Sequence, residues 1–130
     1  MFLGLRTLIL PAPDLDACKR WYAELLGTEP YFDEPFYVGF RVGGYELGLD
    51  PNADPQAGPV AYWGVRNAEA VLRRLVAAGA TPRGDVRDVG DGIRVATVRV
   101  PGSQDVLGII ENPHFAPADP PPSPEDGPGL

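Results

Sequence analysis

The side chains able to do chemistry in this 130-residue chain are few. Its single cysteine and single histidine, Cys18 and His114, lie far apart in sequence. A nucleophilic thiol needs a neighbouring base or cation to become a thiolate, and Cys18 has no histidine near it in sequence. It falls instead on an apolar helical stripe with Trp21 and Tyr22, where a small buried residue is expected. His114 follows a strand in Glu111-Asn112-Pro113-His114-Phe115 and reads as an exposed or capping residue. With so few soft or borderline ligands, a zinc or iron site would have to consist mostly of carboxylates. Asp85, Asp88 and Asp91 lack the D-x-D-x-D-G spacing and later glutamate of a calcium loop, so they read as a solvated edge, as do the strand arginines Arg94 and Arg99. Two alternating strands remain. One places Glu46, Gly48 and Asp50 on a single face, and another places Val60 and Tyr62 on one face with Trp63 on the other.

Those positions depend on the elements that carry them. Leu5 to Leu10 is a β-prone apolar run ended by Pro11-Ala12-Pro13. Asp14 then caps a helix whose apolar residues Leu15, Cys18, Trp21, Tyr22, Leu25 and Leu26 form one buried stripe, closed by Gly27. Strands are expected at Tyr31 to Asp33, Phe36 to Val42 and Tyr45 to Leu49, with Gly43-Gly44 as the hairpin turn between the last two. Asp50 to Gly58 is rich in turn formers. The same order then repeats: a strand at Val60 to Val65, an Asn67 cap, a stripe of Ala68, Val71, Leu72, Leu75 and Val76 ended by Gly79, then strands at Gly84 to Val89, Ile93 to Val100 and Val106 to Ile110. Each half has about 50 residues, too few to bury a full core alone, so the halves must pack on each other or on a second chain.

Eleven basic against eighteen acidic residues give a net charge of −7 and a pI near 4.5. That balance opposes polyanionic partners, so neither nucleic acid nor an anionic membrane is expected. No apolar run approaches the roughly 18 to 20 residues of a membrane span, and the N-terminus has no signal-peptide layout, which makes the cytoplasm the expected location. Residues 1–115 are expected to form one domain, with module one over about 3–50 and module two over about 58–112. Residues 116–130, dense in proline, read as a flexible tail.

The repeat, with Asp14-Leu15-Asp16-Ala17 opening a helix that contains Trp21-Tyr22 and closes with Leu25-Leu26-Gly27, resembles the vicinal oxygen chelate superfamily. That superfamily includes glyoxalase I, extradiol dioxygenases and the bleomycin and fosfomycin resistance proteins. Tyr62-Trp63-Gly64-Val65, Ala78-Gly79-Ala80 and Val106-Leu107-Gly108-Ile109-Ile110-Glu111 carry the likeness through module two. The resemblance implies an α+β fold in which two tandem βαβββ modules form a cup-shaped mixed sheet with its helices outside. Metal-dependent members hold a divalent ion with four inward-facing His, Glu or Gln side chains. The resemblance places those positions at Thr7, Gly48, Val60 and Leu107 or Gly108, and a slip of one residue admits only Glu46 or Leu47 and Ala61. None of these supplies a full ligand set, so no metal and no other cofactor is expected.

The function expected is therefore that of a metal-free small-molecule-binding protein of the glyoxalase and bleomycin-resistance type, acting as a homodimer. Its cleft would be lined by Thr7, Glu46, Gly48, Val60, Tyr62 and Leu107 around an unidentified aromatic or cationic ligand, Tyr62 supplying a ring and Trp63 packing toward the helices. The alternative is an enzyme of the same fold, a lyase, dioxygenase or isomerase/epimerase, with Glu46 as its candidate catalytic base. A third class, an interaction module displaying Pro120-Pro121-Pro122-Ser123-Pro124, lacks flanking basic residues for polyproline recognition.

Overall fold

The structure is a computed structural model and describes residues 1–103 and 105–114. The 116–130 segment, expected to be a flexible tail, lies outside the described residues. The elements run β1 (Gly4–Pro11), α1 (Leu15–Leu26), β2 (Phe32–Glu34), β3 (Tyr37–Val42), β4 (Tyr45–Asp50), β5 (Val60–Gly64), α2 (Ala68–Ala77), β6 (Thr81–Pro82), β7 (Arg87–Gly90), β8 (Ile93–Arg99) and β9 (Val106–Glu111). The strands form one mixed, cup-shaped sheet in the order β2-β3-β4-β1-β5-β9-β8-β6, with β7 also pairing β8. The seam between modules is the antiparallel β1–β5 pair, so the two halves complete each other within a single chain. Within each module the first and last strands run parallel, β1 beside β4 and β5 beside β9.

Local chemistry accounts for the element ends. The Asp14 carboxylate accepts from the Ala17 amide at 3.1 Å, and Asn67 does the same for Ala70 at 3.0 Å, which satisfies amides that the first helical turn leaves free. Gly27 closes α1 at φ 69°, and Gly43-Gly44 turn the β3–β4 hairpin at φ 57° and 87°. Glu111, at the end of β9, accepts from the Ala68 amide at 2.8 Å and so ties the start of α2 to the sheet.

Strand alternation sorts the core into layers. On the convex side, α1 lays Leu15, Cys18, Tyr22 and Leu26 on Val38, Phe40, Leu47 and Leu49, and α2 lays Val71, Leu72 and Leu75 on Ala96, Leu107 and Ile109. On the concave side Ile9, Phe32, Tyr37, Val60, Tyr62, Ile93, Val95 and Ile110 pack together. One expectation is corrected here: Trp21 and Leu25 are 59% and 61% exposed rather than part of the buried stripe. At 100° per residue they sit on the flank of the line that Leu15, Cys18, Tyr22 and Leu26 press onto the sheet, with the Trp21 ring edge-on to Tyr22.

Candidate functional site

Pairing register aligns one inward row across the middle of the cup. Thr7 lies beside Glu46 on β4 and beside Tyr62 on β5, and Tyr62 lies beside Gly108 on β9. This corrects the set implied by the resemblance. Glu46 rather than Gly48, and Tyr62 rather than Val60, stand level with Thr7, while Gly48 and Val60 lie one step along beside Ile9. Leu107, expected in the cleft, packs under α2 on the convex side, and Gly108 takes the inward position. The resemblance sets these positions by counting from helix and turn landmarks, whereas only the pairing register shows which residues stand level across strands.

Glu46 is 2% exposed, so its carboxylate lies in the interior. The Thr7 hydroxyl donates to Oε1 at 2.6 Å and the Tyr31 hydroxyl donates to Oε2. Tyr31 in turn accepts from Asn112 Nδ2 at 3.2 Å, and the Arg41 guanidinium lies 4.7 Å over its ring. The Tyr37 hydroxyl lies close to the same carboxylate but makes no hydrogen bond of ordinary geometry among the described residues. Burial, and then the nearby Glu46 charge, push both phenols up from the usual tyrosine value.

Two glycines seat the rings of this interior. A Cβ on Gly48 would stand 2.1 Å from the Tyr37 hydroxyl, and one on Gly108 would stand 2.5 Å from the Tyr62 ring. Gly48 and Gly108 thus mark spaces filled by the protein's own phenols. The rim above module one is closed as well. The Phe36 ring sits against Gly90, His114 stacks 5.1 Å from Phe32, Arg41 donates to the His114 carbonyl at 3.2 Å, and His114 Nε2 lies 2.6 Å from the Asp91 carbonyl.

These residues do not fit the divalent ion of the metal-dependent resemblance. The inward row offers one carboxylate, one aliphatic hydroxyl, one phenol and a glycine covered by that phenol, and so only one strong anionic donor. Among the described residues no three His, Cys, Asp or Glu side chains converge.

Open space lies on the other half of the concave face. A cavity of about 210 Å³ is lined by Ile9, Val60, Tyr62, Arg83, Arg87 and Thr97 and rimmed by the turn residues Asn52, Ala53, Asp54, Ala57 and Gly58. Arg83 is braced by the Thr97 hydroxyl at 3.2 Å and by Asp54 at 3.4 Å. Tyr62 faces this cavity but is also core, 6% exposed; burial raises its phenol, and the nearby Arg87 and Arg83 charges oppose that rise. Trp63 lies on the opposite face and stacks on Phe2 at 4.9 Å. Sequence reasoning missed Tyr31, Arg83, Arg87, Thr97 and Asn112. Thr97 could have been found by alternation from Val95, but Arg83 and Arg87 enter through chain bends that no periodicity marks.

No protein-family model and no curated protein matches the sequence. Solved structures do. A methylmalonyl-CoA epimerase from Streptomyces coelicolor, bound to 2-nitronate-propionyl-CoA, superposes with a TM-score of 0.68 at 14% identity over 87% of this chain and 99% of that one. The methylmalonyl-CoA epimerase of Mycobacterium tuberculosis gives 0.58 at 19% identity over 91% and 90%. A Legionella pneumophila chain described as an NAD-dependent benzaldehyde dehydrogenase gives 0.65 at 18% identity over 80% and 96%. At these identities the likeness is one of fold, and the fold is the paired βαβββ cup of the vicinal oxygen chelate type.

Proposed function

We propose that this chain is a small-molecule-binding protein that works without a metal and holds its ligand in the concave cavity beside Tyr62. The observation that carries this reading is the lining of the two regions: the buried carboxylate Glu46 already accepts from Thr7 and Tyr31 and does not line the cavity beside Tyr62, which is lined by recognition groups. An aromatic ring, two guanidiniums and a hydroxyl over an apolar floor suit orientation of a ligand. A general base must come within hydrogen-bond reach of the proton it removes, and no carboxylate lining this cavity other than Asp54, already engaged by Arg83, is placed for that. The test is titration of the full chain with single-ring aromatic probes, followed by calorimetry. Saturable one-to-one binding that Ala57→Trp abolishes by filling the cavity supports the reading, and binding that Ala57→Trp leaves unchanged contradicts it.

The enzyme reading draws on a different observation, the fold likeness to epimerases together with a carboxylate at the centre of the inward row. In that reading Glu46 exchanges a proton with a substrate, and Glu46→Gln abolishes turnover while probe affinity survives. The proposed assembly is a homodimer. Leu5, Leu8, Tyr45 and Ala61 border a mostly apolar hollow of about 300 Å³, which Arg6, Thr7 and Glu46 also line, and the exposed Trp21 and Leu25 lie on the helix layer. Such a surface fits burial against a second copy. Light scattering of wild type and Leu8→Lys tests this: a dimer that the variant dissociates supports it, and a wild-type monomer contradicts it.

A further inference from the structure

We propose that the cavity beside Tyr62 recognises an organic carboxylate, with the anionic group between Arg87 and Arg83 and a flat apolar body against the Tyr62 ring. The inference rests on the reading of this cavity as the ligand site and adds the charge and shape of what it takes.

The two arginines differ in what they already hold. Arg83 uses Nη1 on Thr97 and Nη2 on Asp54, which fixes its plane and spends part of its donor fork. Arg87, an exposed residue of β7, lines the same cavity, and its guanidinium has no hydrogen bond or ion pair with any described residue. Asp54 pairs with Arg83, and the buried Asp50 carboxylate also acts on Tyr62 from beyond the cavity lining, so Arg87 is the cavity's cation without an ion pair among the described residues. A guanidinium fork beside a second, pre-braced guanidinium matches the two oxygens of a carboxylate better than a single point charge would. Arg83 and Arg87 line the cavity together with the Tyr62 ring, while Ile9 and Val60 supply the apolar wall. The cavity, at about 210 Å³, falls below the roughly 300–1,000 Å³ of drug-sized sites, which limits the bound group to a single ring or a short chain. A cationic ligand, the sequence-based expectation, depended on Glu46, which does not line this space.

The experiment titrates the full chain at low salt with sodium benzoate and, separately, with benzamidine hydrochloride, which presents a ring of similar size with the opposite charge. Benzoate binds one-to-one, benzamidine binds at least about tenfold more weakly, and Arg87→Gln weakens benzoate about tenfold. Arg87→Lys, which keeps the charge without the fork, gives an intermediate affinity. The proposal is overturned if benzamidine binds as tightly as benzoate, if Arg87→Gln leaves benzoate binding unchanged, or if benzoate does not bind. Failure of the underlying reading looks different: either probe then binds equally well to Ala57→Trp, which puts the occupied site outside this cavity.

Discussion

The concave faces of the two modules start from the same βαβββ plan and end in opposite states. In module one the inward side chains close on themselves: Glu46 is held by Thr7 and Tyr31, Tyr37 lies over Gly48, and Phe32 and Phe36 meet residues from module two at the rim. In module two the corresponding face stays open around Tyr62, Arg83 and Arg87. Side-chain size makes the difference. Module one carries Tyr31, Phe32, Phe36 and Tyr37 around its β2–β3 turn, enough aromatic volume to fill a cup, whereas module two presents Arg83, Arg87 and Thr97 there. The contrast teaches that a carboxylate at the centre of a familiar fold can be held by its neighbours while the open space lies across the seam.

The sharpest way to break that contrast is to remove the carboxylate. Glu46→Ala strands the Thr7 and Tyr31 hydroxyls in the interior and opens a void, so unfolding free energy in urea falls by about 3–5 kcal/mol. Glycine substitutions come next. Gly48→Ala and Gly108→Ala each displace a seated phenol and cost about 1–3 kcal/mol in the same assay. Only Gly108→Ala, which moves Tyr62, also weakens benzoate binding.

Strand phase was legible in the sequence, and burial was not. Alternation alone puts Glu46, Gly48 and Asp50 on one face and separates Tyr62 from Trp63, as the structure has them. It does not choose between Leu107 and Gly108, because the length of the turn before β9 leaves the count open by one residue, and packing under α2 decides it. It also leaves Glu46 undecided between solvent and interior, because the tyrosine that covers it comes from outside β4, and no local pattern announces a hydroxyl arriving from residue 31. Helix ends were readable because their capping chemistry is local, as at Asp14 and Asn67. The arginine pair was not, because its convergence depends on how β6 and β7 return to β8.

Alkaline titration probes the buried phenols of both halves. Tyr31, Tyr37 and Tyr62 all have phenols raised above the unfolded value near 10. A raised folded value means stability is fully present below about pH 10 and falls as pH climbs toward the folded value, by up to about 1.4 kcal/mol per pH unit for each phenol. Urea unfolding at pH 8 and pH 11 measures the loss, and Tyr31→Phe, which removes one titrating group beside Glu46, makes it shallower. The smallest effect on stability belongs to the open half. Arg87→Gln changes the unfolding free energy in urea by no more than about 0.5 kcal/mol, because that guanidinium has no hydrogen bond or ion pair with a described residue to lose.

The central claim is that ligand meets the open half and not the Glu46 half, and chemical-shift mapping of a ¹⁵N-labelled chain during a benzoate titration tests it most directly. The account predicts saturable shifts centred on Asp54 to Gly58, Tyr62, Arg83, Arg87 and Thr97, with Thr7, Tyr31 and Glu46 near their free positions. Shifts centred on Tyr31, Glu46 and Asn112, with the Arg83 and Arg87 amides unmoved, would contradict it.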